Sequence, residues 1–426
     1  MTRDDCLALD AADPLAPLRS QFALPPDLIY LDGNSLGVLP KATAARVQQV
    51  VTQEWGHDLI QSWNTAGWID LPQRVGNKIA QIVGAGTNEL VVADSTSVNL
   101  FKVLSAASKI VRQDSPERRA IVSERSNFPT DLYIAEGLCR ELGWQLVLLE
   151  PDEVGARLQG DVAVLMLTHV NYRTGRMHDM RSLTALAHAA GVLTVWDLAH
   201  SAGAVPVDLH AAQADFAVGC GYKFLNGSPG APAFVWAHPR HAERFWQPLS
   251  GWMGHAAPFE FSSAYRPAPG MGRYLCGTPP VLSLAALECG VDTVLAAQPL
   301  GGMDALRDKS VALTELFAHL VDERCAGMGL DVVSPRDAAQ RGSQVCLAHQ
   351  TGGVAGGYAI VQALIARGVI GDFRAGNARS PDILRFGFTP LYTRFVDAWD
   401  AVEHLRQVMQ GAEWREARFN RRSAVT

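Results

Sequence analysis

From Leu90 to Gly221 the chain repeats one pattern: a short apolar run, a polar or small residue, then a stretch with helical spacing. The runs are Leu90 to Ala93, Ala120 to Val122, Gln145 to Leu149, Val162 to Leu167, Val192 to Trp196 and Phe216 to Val218. They are too short for buried helices, and they lack the polar/apolar alternation of a strand with one wet face. They therefore read as strands buried on both sides. Asp94 to Ser97 opens a helix running through Phe101, and Leu183 to Ala190 reads as a helix stopped by Gly191. Strands alternating with helices predict an α/β domain, a mostly parallel sheet with helices on both faces.

Past Gly301 the pattern changes. Helical stretches, Met303 to Val321 and Gly357 to Arg367, flank shorter strand-like pieces, Ser343 to Leu347 and Ile383 to Phe386. The expected organisation is a large domain over 41–300 and a smaller α+β domain over 301–426, joined by an N-terminal segment, 1–40. With 426 residues, the chain is long enough for both.

Composition removes several classes of function. Apolar residues make up 48% and charged residues 19%, an ordinary globular balance. The net charge is −6 and no basic cluster exceeds a pair such as Arg118-Arg119, which argues against nucleic acid and membrane surfaces as partners. The acidic start, Met1 to Asp13, does not resemble a secretory signal, and apolar runs such as Val162 to Leu167 are too short to span a bilayer. Seven scattered cysteines without a Cys-x-x-Cys point to a reducing compartment, so a soluble cytoplasmic protein is expected.

Ligands of open parallel sheets sit outside the carboxyl ends of the strands. The polar residues at those ends are Ser95, Thr96 and Ser97, then Thr168 and Asn171, then Asp197 and His200, then Tyr222 and Lys223. Ser95-Thr96-Ser97 opens a helix, where free N–H groups favour a phosphate; a plain N-cap is the alternative. Asp197 closes a strand of Val, Leu, Thr and Trp, where a carboxylate is costly without a cationic partner. A protonated pyridine nitrogen is such a partner, and a local helix cap is the alternative. Lys223 lies among small residues, Gly219-Cys220-Gly221 before it and Asn226 to Gly230 after it, which lets backbone approach a ligand. A lysine among apolar groups becomes nucleophilic toward an aldehyde, whereas a solvated loop lysine would do nothing of the kind. Together these residues point to pyridoxal 5'-phosphate held by Lys223 as a Schiff base. His200 reads equally as a core histidine or as a cofactor contact. His169, His178 and His255 lack metal-ligand spacing, so no metal is expected. Neither Gly-x-x-x-x-Gly-Lys-Ser/Thr nor a strand followed by Gly-x-Gly-x-x-Gly is present, which removes the common nucleotide grips.

The run from Trp196 to Ala204 resembles the fold-type I pyridoxal phosphate enzymes of the branch related to class V aminotransferases. Further runs narrow the resemblance to the kynureninase family: Leu31 to Gly37, Phe128 to Asp131, Asp208 to His210, Asp215 to Gly230 and Gly251 to His255. The similarity extends from about Tyr30 to about Tyr392. It implies a homodimer with shared active sites that hydrolyses L-kynurenine to anthranilate and L-alanine, a step of tryptophan degradation. It implies that Lys223 bonds the cofactor and that Asp197 pairs with the pyridine nitrogen. Thr96 and Ser97 would bind phosphate with a donor from Tyr222, and Phe128 would stack on the ring. Asp131, Thr168 and His200 would touch the cofactor, and Trp252 and Thr278 would complete the pocket. Arg385 would grip the substrate α-carboxylate, as a guanidinium fork can; a strand-end surface arginine is the alternative. Lys223 would act as a base, and Tyr222 is a candidate proton donor to the departing carbon. Trp63, Gly277 and Thr278 resemble the bacterial type, which favours kynurenine over 3-hydroxykynurenine.

Two other readings compete. A cysteine desulfurase on the same fold would need a reactive cysteine in the small domain, where Cys325 and Cys346 are available; Cys346 lies in an apolar run and reads as core. A non-catalytic binding protein on a retired enzyme scaffold would be expected to have lost Lys223, Asp197 or the phosphate grip, and all are present.

Overall fold

The computed structural model describes residues 1–244, 247–350 and 356–421, and within it the chain forms two compact units. One comprises Ala42–Asn171 and His178–Asp292; the other comprises Met1–Lys41, Tyr172–Met177 and Thr293–Thr426.

The first unit is built on a seven-stranded sheet among the described residues. Its order is Leu90–Val92, Phe234–Ala237, Phe216–Gly219, Leu193–Asp197, Val162–Thr168, Ala120–Glu124, Gln145–Leu149. The last five pair in parallel, as the apolar runs predict. Phe234–Ala237 runs antiparallel to both neighbours. Every residue of Val162–Thr168 is buried. Helices cover the sheet: Thr96–Asp114 places Leu100, Val103, Leu104, Ala107 and Ile110 in one apolar core with Ile121, Val164, Val195 and Phe216.

In this sheet Thr168 is the register partner of Asp197, and Asp197 of Val218. The carboxyl ends of three strands therefore lie side by side. One helical segment, Val281–Leu300, is long and apolar enough to cross a membrane by length and composition. Half of it is buried, and its Glu288 pairs with Arg74 and Lys78, features of a core helix.

The second unit holds an antiparallel four-stranded sheet in the order Asp372–Arg374, Ile383–Gly387, Gln344–His349, Leu330–Val332. Helices Gly302–Arg324, Gly357–Ala366 and Phe395–Gln410 bury Phe317, Ile360 and Val402 against Val345, Leu347 and Phe386. The N-terminal segment belongs here. Ile29–Tyr30 pairs in parallel with Val369–Ile370, and Asp10 caps the helix Phe395–Gln410 by accepting from the N–H groups of Phe395 (2.6 Å) and Val396 (3.0 Å).

Candidate active site

At the carboxyl end of Leu193–Asp197, the Asp197 carboxyl is 4% exposed. Its Oδ1 accepts from the Ala199 N–H at 2.8 Å, which closes a turn; no helix follows Asp197, so the helix cap anticipated as an alternative does not form. Its Oδ2 lies 3.4 Å from Thr168 Oγ1, which is also 3.4 Å from Asp131 Oδ2. Three groups from separate elements, Thr168, Asp197 and Asp131 of the helix Pro129–Leu142, thus converge. Burial pushes both carboxyls above the usual range, and for Asp131 the neighbouring Asp197 charge adds to it. The Lys223 charge pulls both back down. The two acids meet through the Thr168 hydroxyl, and burial favours the protonated form in each.

Lys223 Nζ lies 3.0 Å from Nε2 of buried His200. It sits 6.0 Å from the Phe128 ring centre and 5.5 Å from that of Tyr222. Phe128, 41% exposed, leads into Pro129–Leu142, and its N–H donates to Asn127 Oδ1 at 2.7 Å. Asn127 also receives the Thr168 hydroxyl and donates to Ser123 at 3.0 Å. Nothing in the sequence set Asn127 apart beyond its place just before the Phe128 motif. Two of the glycines around Lys223 also have a packing role. A Cβ on Gly221 would come within 2.5 Å of the Pro232 carbonyl oxygen, and one on Gly227 within 2.5 Å of the Gly221 carbonyl oxygen. They let the protein's own backbone pack. Asn226 (φ +54°) and Ser228 (φ +93°) hold the same loop in left-handed conformations that cost side-chain-bearing residues energy.

Thr96 and Ser97 begin the helix Thr96–Asp114, half-buried, and Ser95 Oγ caps it by accepting from the Val98 N–H at 3.3 Å. Asp94 precedes them at φ +48°. It is braced by Lys102, a fully buried lysine from the same helix that also donates to the Tyr274 carbonyl at 2.6 Å. Sequence reading missed Lys102, because one lysine on a helix face looks like any solvated one.

Trp63 packs edge-on against Trp252, ring centres 6.0 Å apart, and against Trp68 at 6.3 Å. Trp252 meets Phe259 in the same way at 5.9 Å. Trp252 also borders a cavity of about 370 Å³ with His255, Phe261 and Tyr265. Gly277 and Thr278 are exposed in the single chain, and a Cβ on Gly277 would meet nothing. His169 and His178 flank Trp196, and His178 pairs with Glu124 at 2.7 Å.

Arg385 belongs to the second unit and is 1% exposed, unlike a surface arginine. Its Nε donates to Asp372 Oδ1 (2.8 Å), its Nη2 to Asp372 Oδ2 and Ser35 Oγ (2.7 Å), and its Nη1 to the Tyr172 carbonyl (2.9 Å). Its partner Asp372 was not anticipated.

Comparison with known proteins places the chain. Residues 306–405 match the family model described as the kynureninase C-terminal domain. A kynureninase of Pseudomonas fluorescens is 56% identical over 428 aligned positions, covering all of both chains, and one of Burkholderia mallei matches to the same extent. The chain belongs to the kynureninase family. Solved structures add the fold. A cysteine desulfurase from Thermococcus onnurineus superposes with a TM-score of 0.78 at 19% identity, covering 93% of this chain and 98% of that one. A C-DES variant described with glycine covalently linked to its PLP cofactor gives 0.75 at 16%, covering 91% and 98%. At such identities the likeness shows the fold alone, the fold-type I architecture shared by kynureninases and desulfurases. The two small-domain cysteines that the desulfurase reading offered are not reactive thiols. Cys325 and Cys346 are both buried, and burial pushes each up to about 11.

Proposed function

We propose that this chain is a hydrolase that cleaves the Cβ–Cγ bond of L-kynurenine to give anthranilate and L-alanine, using pyridoxal 5'-phosphate. The observation that carries the reading is its full-length 56% identity to kynureninases. The residues present fit the cofactor: a deeply buried acid, Asp197, calls for a cation, and a half-buried lysine stands beside a buried histidine within reach of two aromatic rings.

When bound, pyridoxal phosphate supplies an electrophilic aldehyde and a cationic ring that stores electrons from the substrate's α-carbon. Lys223 would bond the aldehyde through Nζ and later take the α-proton on the same atom, with His200 orienting it. Asp197 would keep the proton on the ring nitrogen, and Thr168 and Asp131 would hold Asp197 in place. Thr96, Ser97 and the first-turn N–H groups of Thr96–Asp114 would grip the phosphate with Tyr222. Phe128 would stack on the ring. Tyr222 would also donate a proton from Oη to the departing carbon. Trp252, Trp63, Gly277 and Thr278 would shape the pocket toward unhydroxylated kynurenine, and Arg385 would take the α-carboxylate. Under this reading residues 41–300 form the cofactor-binding domain and 301–426 the small domain, which the segment 1–40 joins. The enzyme works in the cytoplasm, consistent with seven unpaired cysteines. It works as a homodimer with shared active sites, consistent with the exposed Trp55, Leu59 and Ile60.

The test is to supply the purified protein with L-kynurenine, 3-hydroxykynurenine and L-cysteine in turn. Anthranilate fluorescence from kynurenine, lost in Lys223→Ala, is expected; sulfide from cysteine with no anthranilate would sink the reading. Tyr222→Phe should retain the yellow cofactor yet turn over at least about tenfold more slowly, as the loss of a proton donor implies.

A further inference from the structure

Around Arg385 the second unit buries more charge than one arginine needs. Asp372 and Arg385 are direct cross-strand partners. The Asp372 carboxylate meets the guanidinium with both oxygens, which fixes the plane of the fork as well as its distance. Ser35 Oγ closes the arrangement: it donates to Asp372 Oδ2 at 2.7 Å and accepts from Arg385 Nη2 at 2.7 Å. With Tyr172 on Nη1, four of the five guanidinium N–H groups are committed and one on Nη1 remains.

A second guanidinium, Arg374, lies 2.7 Å from Asp372 Oδ2. Two cations thus share one closely bonded carboxylate. The next carboxyl is Asp32, in the Leu31 to Gly37 motif that the reaction chemistry left unused. Its Oδ1 is buried with no hydrogen-bond partner. A buried carboxylate oxygen without donors disfavours the ionised form. The groups facing Asp32 are Asp372, Arg385, Arg374, Ser35, Tyr30 and Tyr392. With Asp32 neutral, two guanidiniums and one carboxylate sum to one positive charge; with Asp32 ionised they sum to zero.

We propose that Asp372 is a positioning residue that orients Arg385 for the substrate's carboxylate, and that Asp32 sets whether the cluster carries the positive charge to hold it. The inference rests on the reading of Arg385 as the carboxylate-binding arginine. Burial and the Asp372 charge push Asp32 up to about 7, with Arg385 opposing. Sign follows directly: below that value the acid is neutral and the cluster cationic, and above it the surplus charge disappears. Substrate affinity should therefore fall as pH rises through 7.

The holoenzyme tests this with Asp372→Asn, Asp372→Glu, Asp32→Asn and Arg385→Gln. The readouts are KM and kcat for L-kynurenine from pH 6 to 9, and binding of L-alanine and of ethylamine, which lacks the carboxylate, followed by cofactor absorbance. Asp372→Asn should raise KM by about 10- to 100-fold, the range for a charge-assisted hydrogen bond, with kcat changed far less. L-alanine affinity should drop by the same factor while ethylamine binding holds, and Asp372→Glu should recover part of the loss. Asp32→Asn should flatten the rise of KM with pH. An Asp372→Asn protein with parental KM, or with equal losses for L-alanine and ethylamine, would overturn the inference. Should Asp372→Asn not fold, Asp32→Asn decides: a KM–pH profile identical to the parent's overturns it. Arg385→Gln with unchanged L-alanine affinity would instead refute the role of Arg385 itself, a result distinct from a silent Asp372.

Discussion

Asp215 shows how a single buried carboxylate can anchor a sheet away from any chemistry. It sits just before the strand Phe216–Gly219 and accepts from the Thr194 N–H (2.8 Å), His188 (2.8 Å), His241 (2.8 Å) and Arg240 (2.6 Å). Burial alone would raise its proton affinity. The bonds from His188, His241 and Arg240 outweigh burial and hold the carboxyl well below the ordinary range. A folded value below the unfolded one contributes stability that is complete above about pH 4 and is lost gradually as pH falls from there toward the much lower folded value. Asp215→Asn should thus cost about 3 kcal/mol at neutral pH, the scale for breaking a buried charge cluster, and progressively less as pH falls below 4. Urea unfolding across that range checks both sign and window; a pH-independent difference would contradict it. The Asp197 site is the reverse case, since burial there raises the carboxyl and a cation is needed to hold it charged.

The helix Val281–Leu295 has a role among elements that its apolar sequence does not announce. A Cβ on Gly290 would come within 2.5 Å of the Asn226 carbonyl carbon and oxygen, so the helix rests directly on the loop that follows Lys223. Gly290→Ala must displace backbone and should cost about 1–3 kcal/mol, as overpacking does, lowering the thermal midpoint and shifting the absorbance of the bound cofactor. Gly137 is the matched control, exposed in Pro129–Leu142 with open space at its Cβ. Gly137→Ala should stabilise by about 0.5–1 kcal/mol without touching the absorbance. Equal effects at both positions would contradict the packing argument. The strands of the parallel core were legible because each is a largely apolar run closed by a polar or small residue. Phe234–Ala237 was not, since a buried strand of Phe, Val, Trp and Ala reads the same in either direction.

For the whole molecule, the exposed apolar groups around the helical turns at 50–61 matter most. Val51, Trp55, Leu59 and Ile60 are 39%, 58%, 60% and 75% exposed, a patch that isolated proteins rarely leave to water. Ile60→Asp should shift the proposed dimer toward monomer in sedimentation velocity and lower activity with it; an unchanged sedimentation coefficient would place the interface elsewhere. Sequence alone determined the βα order and the residues at the strand ends, and it is the source of the chemistry proposed for Lys223 and Asp197. Apolar periodicity and the cost of a charge at the end of a buried strand are local properties, readable from neighbours in the chain. Tertiary structure alone decided that Asp131 and Thr168 meet Asp197, that Lys102 braces Asp94, and that Asp372 and Ser35 hold Arg385. Those partners come from turns, strands and segments as much as 350 residues apart, and a hydrogen bond depends on where folding brings two atoms, which no spacing along the chain encodes.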